Sequence, residues 1–381
     1  MVQRGWIQSP SWDLFWMFSA LWAGALLLGF SLVLPAMGVA LIFLSLNRFL
    51  SVFHAWSTTF MVLGSSLFAA ERRSNPRRYV VIPALIAFFS LLLGLYVAAA
   101  QRYPEDGQFS WALWPWGLYL AVFWVGHFWH FGNQDFGVLT LYRNRAGQSR
   151  LLDRRADKLY TAAMMYLIQP IVYFSIVKTT AISEIAHTLL PLSFAVMNIA
   201  AQIALGAAIF LALAMLAFEL SKPARSLPKL LYILVIAVHP TFLYFSVQAG
   251  STTLAAMYAL AYLWSHWFIA IGLVARINTS YYRSRGDARW ISILRHAALL
   301  LMIVGVVFVL TEHYQPYLLF NTDRFYYKEL LASISPEQAV VIGLVLGFFL
   351  GEQLIHYYCD RCLFRLRSPA VRRSVVPHLL G

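Results

Sequence analysis

Polar, titratable side chains crowd into one short stretch, HFWHFGNQD (His127 to Asp135), inside a run of apolar and aromatic residues. His127, His130 and Gln134 follow i, i+3, i+7 spacing and share one helix face, with Asp135 beside it. Further histidines have apolar neighbours: His54 in FHAWSTTF, His239 before Pro240, and His266 in LWSHWF. Towards the end of the chain Glu352 and His356 are four apart and share a face. Imidazole with carboxylate suits Fe, Zn, Cu or Mn, and a mixed set with open positions serves non-haem iron and O2 chemistry. His127, His130, His239 and His266 are the expected ligands, with His54 and His356 in reserve. Asp135 and Glu352 are expected to orient ligands or to bind metal themselves, and Gln134 to hydrogen-bond substrate or bound oxygen. For each histidine the plain alternative is a hydrogen bond to a backbone carbonyl or hydroxyl.

Those residues must be positioned by membrane helices. Of 381 residues, 60% are hydrophobic and only 12% charged, with mean hydropathy +0.66. A soluble domain is near a quarter charged. Apolar runs of about 20 residues recur, the length that crosses a bilayer as a helix. Backbone groups in lipid must be satisfied within their own segment, which favours helices, and the alternation of a membrane barrel is missing. The expected fold is therefore all-α, a polytopic integral membrane helix bundle.

The formal charge of +13 is gathered in short loops. Basic clusters at 71–78, 143–158, 221–229, 276–295 and 361–373 alternate with loops poor in Lys and Arg at 101–108, 178–187, 248–252 and 311–337. That alternation is a topology signal rather than a nucleic-acid surface, and it puts the basic loops in the cytoplasm. Two helices then fill each interval, near 79–100, 111–142, 159–178, 189–219, 230–247, 253–275, 296–311 and 338–360. With two more in residues 12–70, or three if Arg48 marks a break, the expectation is about ten transmembrane helices. Residues 1–381 read as a single transmembrane domain with both termini cytoplasmic and a short tail from about 361. Without an evident signal peptide, a bacterial inner membrane fits. Cys359 and Cys362 form a C-x-x-C read as two reduced thiols at the cytoplasmic edge.

Depth follows from distance to the nearest basic loop. At 1.5 Å per residue His130 lies about 20 Å in, His127 about 24 Å, and His239 and His266 about 15 Å. Glu352 lies about 13 Å in, His356 about 7 Å and His54 about 27 Å. Ionisable residues at such depths face the bundle and mark function. His187, His296, His313 and His378 fall at loops, interfaces or the tail and are expected to be solvated.

Trp129 to Asp135, WHFGNQD, resembles the His-aromatic-Gly-x-x-Asp element of the Brp/Blh family, multi-pass membrane proteins that cleave β-carotene to retinal with histidine-held iron. The resemblance covers about seven residues and the general architecture; it implies that His130 is a metal ligand and that Asp135 supports the site. The early His-Gly-x-x-Asp and late H-x-x-x-H of that family have no counterpart here, since His54 is followed by AWST.

Together these features lead us to expect a membrane-embedded oxidoreductase using a metal, iron before other transition metals, and O2. Its substrate would be lipophilic: a carotenoid, another isoprenoid or a lipid chain. Membrane lipids are expected partners and nucleic acid is not. The rival readings are a transporter or channel whose histidines carry protons, metal or solute, and an assembly subunit binding haem through His pairs. No Walker A, G-x-G-x-x-G or H-E-x-x-H motif occurs.

Overall fold

A computed structural model describes residues 5–33, 36–102, 114–176, 194–249, 252–284, 335–364, 371, 373 and 375–380. All regular structure among them is helical. The helices are α1 (Pro10–Trp16), α2 (Ser19–Val33), α3 (Ala36–Leu63), α4 (Ala69–Ser74), α5 (Ile82–Arg102), α6 (Trp114–Arg145), α7 (Leu151–Ala163), α8 (Gln169–Ile176), α9 (Phe194–Leu220), α10 (Leu227–Gln248), α11 (Thr252–Ser284), α12 (Pro336–Leu363) and α13 (Val376–Leu380). A π-helical turn, Met164–Ile168, joins α7 to α8.

Among the described residues five helices are long and apolar enough to cross a membrane, or up to seven if the bent pairs Pro10–Trp16 with Ser19–Phe30 and Phe49–Leu63 with Ser66–Ser74 each count as one span. The chain has the helices of a membrane protein. The larger number of about ten is not reached among the described residues, and the expected helix at 296–311 lies outside them. Helix α6 is long, 32 residues, but is not among the five. Its central His127–Asp135 stretch lowers its hydropathy, and protein rather than lipid surrounds much of it: α7, α10 and α12 all pack on it.

Local sequence sets the ends of the two helices that matter most. Helix α12 begins in a capping box: the Ser335 side chain accepts from Gln338 N–H, Gln338 Oε1 accepts from Ser335 N–H, and Pro336 opens the helix. Helix α6 ends at Gly147, whose φ of +72° suits glycine. There the Gly147 N–H donates to Asn144 O and the Gln148 N–H to Arg143 O, closing a Schellman turn.

That turn delivers Gln148 into a buried ionic knot. Asp157 pairs with Arg143 at 2.6 Å and with Lys229 at 2.8 Å. Lys229 reaches Glu219 at 3.0 Å, Glu219 takes Lys222 at 2.6 Å, and Lys222 reaches Asp153 at 3.1 Å. Gln148 donates to Glu219 and accepts from Lys229. Three buried carboxylates thus meet three buried cations, fastening α6, α7, α9 and α10 together. Burial alone would raise the pKa of Asp153, but Arg150 and Lys222 outweigh it and hold the carboxyl below its ordinary value. Its stabilisation is therefore present above the ordinary carboxylate range and is lost as pH falls through the lowered pKa.

Helix α12 packs most extensively on α5, through a seam of small residues. A Cβ on Gly94 would overlap the carbonyl of Gly343, and one on Gly347 would overlap the backbone at Ser90 and Leu91. Small residues let membrane helices approach closely. At the same end as the ionic knot the chain's two extremities meet: Arg276 donates to Leu379 O at 2.6 Å and also to Gln8 Oε1. Val371, Val375 and Leu379 are buried in the main core.

Breaking the ionic knot leaves a buried charge unpaired, a defect worth about 3–5 kcal/mol. Lys229→Met is therefore expected to lower the thermal unfolding midpoint of detergent-purified protein sharply, read by size-exclusion after heating. An unchanged midpoint would show that the knot does not bind these helices.

Candidate metal centre

Four histidines from four helices converge. His54 is on α3, His130 on α6, His266 on α11 and His356 on α12, and all four are buried. One ligand atom from each lies within 4.8 Å of every other. His130 Nε2 and His266 Nε2 are 2.9 Å apart. Nitrogens sharing one ion at an angle of 90–109° lie about 3.0–3.4 Å apart, and opposed ones about 4.2 Å, given Zn–N bonds of about 2.1 Å. The His130–His266 spacing is close to that of adjacent ligands, and since the cluster's 4.8 Å outer limit exceeds the opposed-ligand figure by about 0.6 Å, four imidazoles would close around a single ion with small ring movements.

The neighbours prepare these rings. The Thr58 hydroxyl donates to Ala55 O at 3.3 Å and contacts His356 Nδ1 at 2.8 Å. Thr58 thus engages His356 Nδ1, and in the tautomer that carries its proton on Nδ1 the Nε2 lone pair is free to ligate. That Nε2 has no hydrogen-bond partner, and neither ring nitrogen of His54 has one. A buried imidazole nitrogen left bare in this way is poised to ligate. Gln134 Nε2 donates to the His266 carbonyl at 2.7 Å and ties α6 to α11 beside the site. The Tyr357 ring stacks on His130 with centroids 4.7 Å apart, and the Phe131 ring lies 3.8 Å from that of His266. These aromatic walls help to keep water away.

The other expected residues sit around this centre. His127 is outside the four-histidine group; its Nδ1 meets the Tyr357 hydroxyl at 3.0 Å. His239 also lies outside, stacked on Tyr262 with centroids 3.7 Å apart. Asp135 accepts from Tyr232 at 2.7 Å and from Tyr262 at 3.3 Å. Glu352 is buried one turn before His356, and neither carboxyl oxygen has a hydrogen-bond partner. His378 is half-buried against Ser280, whereas His187, His296 and His313 fall outside the described residues. Cys359 and Cys362 are both buried in the last turns of α12.

Asp360 is the residue that sequence reasoning passed over. It lies one turn after His356, buried, with Oδ1 3.5 Å from His356 Nδ1 and Oδ2 3.6 Å from His130 Nε2. Its place beside Arg361 had the look of a solvated membrane edge. The available signal was its i, i+4, i+8 register with His356 and Glu352.

Comparison with protein-family models, with curated proteins and with solved structures finds no match for the chain. Fold and side chains nevertheless define a class: a helical membrane protein with a buried four-histidine cluster that can hold a metal ion.

The geometry separates the histidines into two groups. Alanine at His54, His130, His266 or His356 is expected to remove bound metal, whereas alanine at His127 or His239 is expected to leave about one equivalent per chain. Elemental analysis of detergent-purified variants measures this. Equal loss at all six positions, or at none, would contradict the assignment.

Proposed function

We propose that the chain is a membrane-embedded, metal-dependent oxidoreductase that holds iron at His54, His130, His266 and His356 and uses O2 on a lipophilic substrate. The observation that carries this reading is the convergence of four buried imidazoles, two of them (His54 and His356) with unpartnered nitrogens, from four helices. Nitrogen-rich sites with carboxylate nearby suit iron in oxygen chemistry. The resemblance of Trp129–Asp135 to the Brp/Blh element points the same way, and makes a carotenoid, another isoprenoid or a lipid chain the substrate class.

The chain's own residues would divide the work. The four imidazoles bind the ion, and the iron supplies the site at which O2 is engaged. Phe131 and Tyr357 pack against the ligand rings, exclude water and offer apolar surface to a hydrocarbon chain. Gln134 fixes α11 relative to α6 through the His266 carbonyl. Asp135, held by two tyrosine hydroxyls, anchors α6 to α10 and α11 one turn from His130. We place the protein in a bacterial inner membrane with both termini cytoplasmic and about ten spans, on the charge alternation of its loops.

The test is oxygen uptake by iron(II)-loaded protein in lipid nanodiscs, with β-carotene or a polyprenyl lipid added. Substrate-dependent uptake is expected, falling by more than about 100-fold in His130→Ala. No uptake by folded, iron-loaded protein across the substrate panel would contradict the oxidoreductase reading. Metal movement into proteoliposomes would then favour transport.

A further inference from the structure

We propose that Asp360 is a fifth, anionic ligand, so that the ion sits in a four-histidine, one-carboxylate set. This rests on the reading of the four histidines as a metal site.

The geometry is specific. Asp360 Oδ2 lies 3.6 Å from His130 Nε2, the same nitrogen that lies 2.9 Å from His266 Nε2, so the carboxylate borders the four-histidine group while standing outside the set whose ligand atoms all lie within 4.8 Å of one another. Adjacent ligand atoms on one ion are about 3 Å apart, so binding would draw the carboxylate in from its 3.6 Å distance to His130 and closer to the other imidazoles. His356 and Asp360 are four apart on α12, which puts both donors on one helix face.

Two further observations need a cation there. Asp360 is buried, and among the described residues its polar neighbours are the Thr58 hydroxyl and the imidazoles of His130 and His356, with no cation. Isolating a carboxylate in this way is costly unless it is paired or coordinates metal. Among the described residues no Lys or Arg pairs with it: Arg361 lies over the Trp129 ring, and Arg78 over the Tyr79 ring. In return, four neutral imidazoles would leave the full charge of a divalent ion in a buried site, and one carboxylate halves it.

The structural alternative is that Asp360 stands behind His356 and only orients its ring. His356 Nδ1 is already engaged by Thr58 at 2.8 Å, closer than the 3.5 Å to Asp360. The orienting position is therefore filled, and Oδ2 is directed at a different histidine. A mixed imidazole–carboxylate set also selects Fe(II), Mn(II) or Co(II) over Cu(I), which prefers softer ligands.

The experiment titrates Co(II) into metal-free, detergent-purified full-length protein and follows the cobalt absorption bands. It compares wild type with Asp360→Asn, Asp360→Glu and Thr58→Val, each checked for folding by size-exclusion. One Co(II) per wild-type chain is expected. Asp360→Asn is expected to weaken binding by at least about 100-fold and to change the band pattern, while Asp360→Glu restores most of the affinity. Thr58→Val is expected to weaken binding by about 10-fold with the bands unchanged. Wild-type affinity and bands in Asp360→Asn would overturn the proposal while leaving the four-histidine site intact. Should Asp360→Asn not fold, wild-type bands in Asp360→Glu would overturn it, since a longer carboxylate must alter a coordinated ion. No Co(II) or iron bound by folded wild type would overturn the metal site itself.

Discussion

Bare imidazole nitrogens and unpartnered carboxylates are costly in the interior of a membrane protein, where no bulk water compensates them. Here several of them gather at one place. His54 offers two nitrogens without partners, His356 one, and Glu352 two oxygens. Scattered singly, such atoms would be defects. The imidazoles of His54, His130, His266 and His356 gather within 4.8 Å into one site that could hold a single cation, with Asp360 at its border. That requirement links the packing of the bundle to its chemistry.

Each ligand comes from a different helix, so the centre exists only if α3, α6, α11 and α12 keep their relative positions. Two unlike devices hold them. The seam of Gly94, Gly343 and Gly347 brings α12 against α5 with no room for side chains, and α12 also rests on α3. The ionic knot around Asp157 and Glu219 ties the end of α6 to α7, α9 and α10. Nearer the centre, Gln134 to the His266 carbonyl and Asp135 to Tyr232 and Tyr262 connect α6 to α10 and α11. The polar residues of His127–Asp135 thus serve two ends: His130 joins the cluster, while Gln134 and Asp135 align the helices that present it.

The helical membrane character was legible in composition and run length, because lipid demands both. The convergence was partly legible. Depth marks His130 and His266 as expected ligands, and depth with the Glu352–His356 spacing keeps His54 and His356 in reserve. What linear spacing could not tell was which helices neighbour one another. His127 shares a face with His130, yet points its Nδ1 at Tyr357. His239 lies at a similar depth but stacks on Tyr262. The hydroxyls beside His54 offer that ring a plain alternative to metal, yet Thr58 meets His356 on another helix. Basic residues were read as topology signals in solvated loops, but Arg143, Lys222 and Lys229 are buried in ion pairs with acids from separate segments. Asp360 is likewise buried by tertiary packing, which its position beside Arg361 does not reveal.

The central claim is that an ion lies among these imidazoles, and the X-ray absorption spectrum of the metal in purified protein tests it most directly. A shell of nitrogen and oxygen scatterers at about 2.1 Å is expected, with the outer-shell pattern of several imidazole rings. Sulfur scatterers near 2.3 Å would contradict it by placing the metal on Cys359 and Cys362 instead, and folded protein holding no metal would contradict it outright.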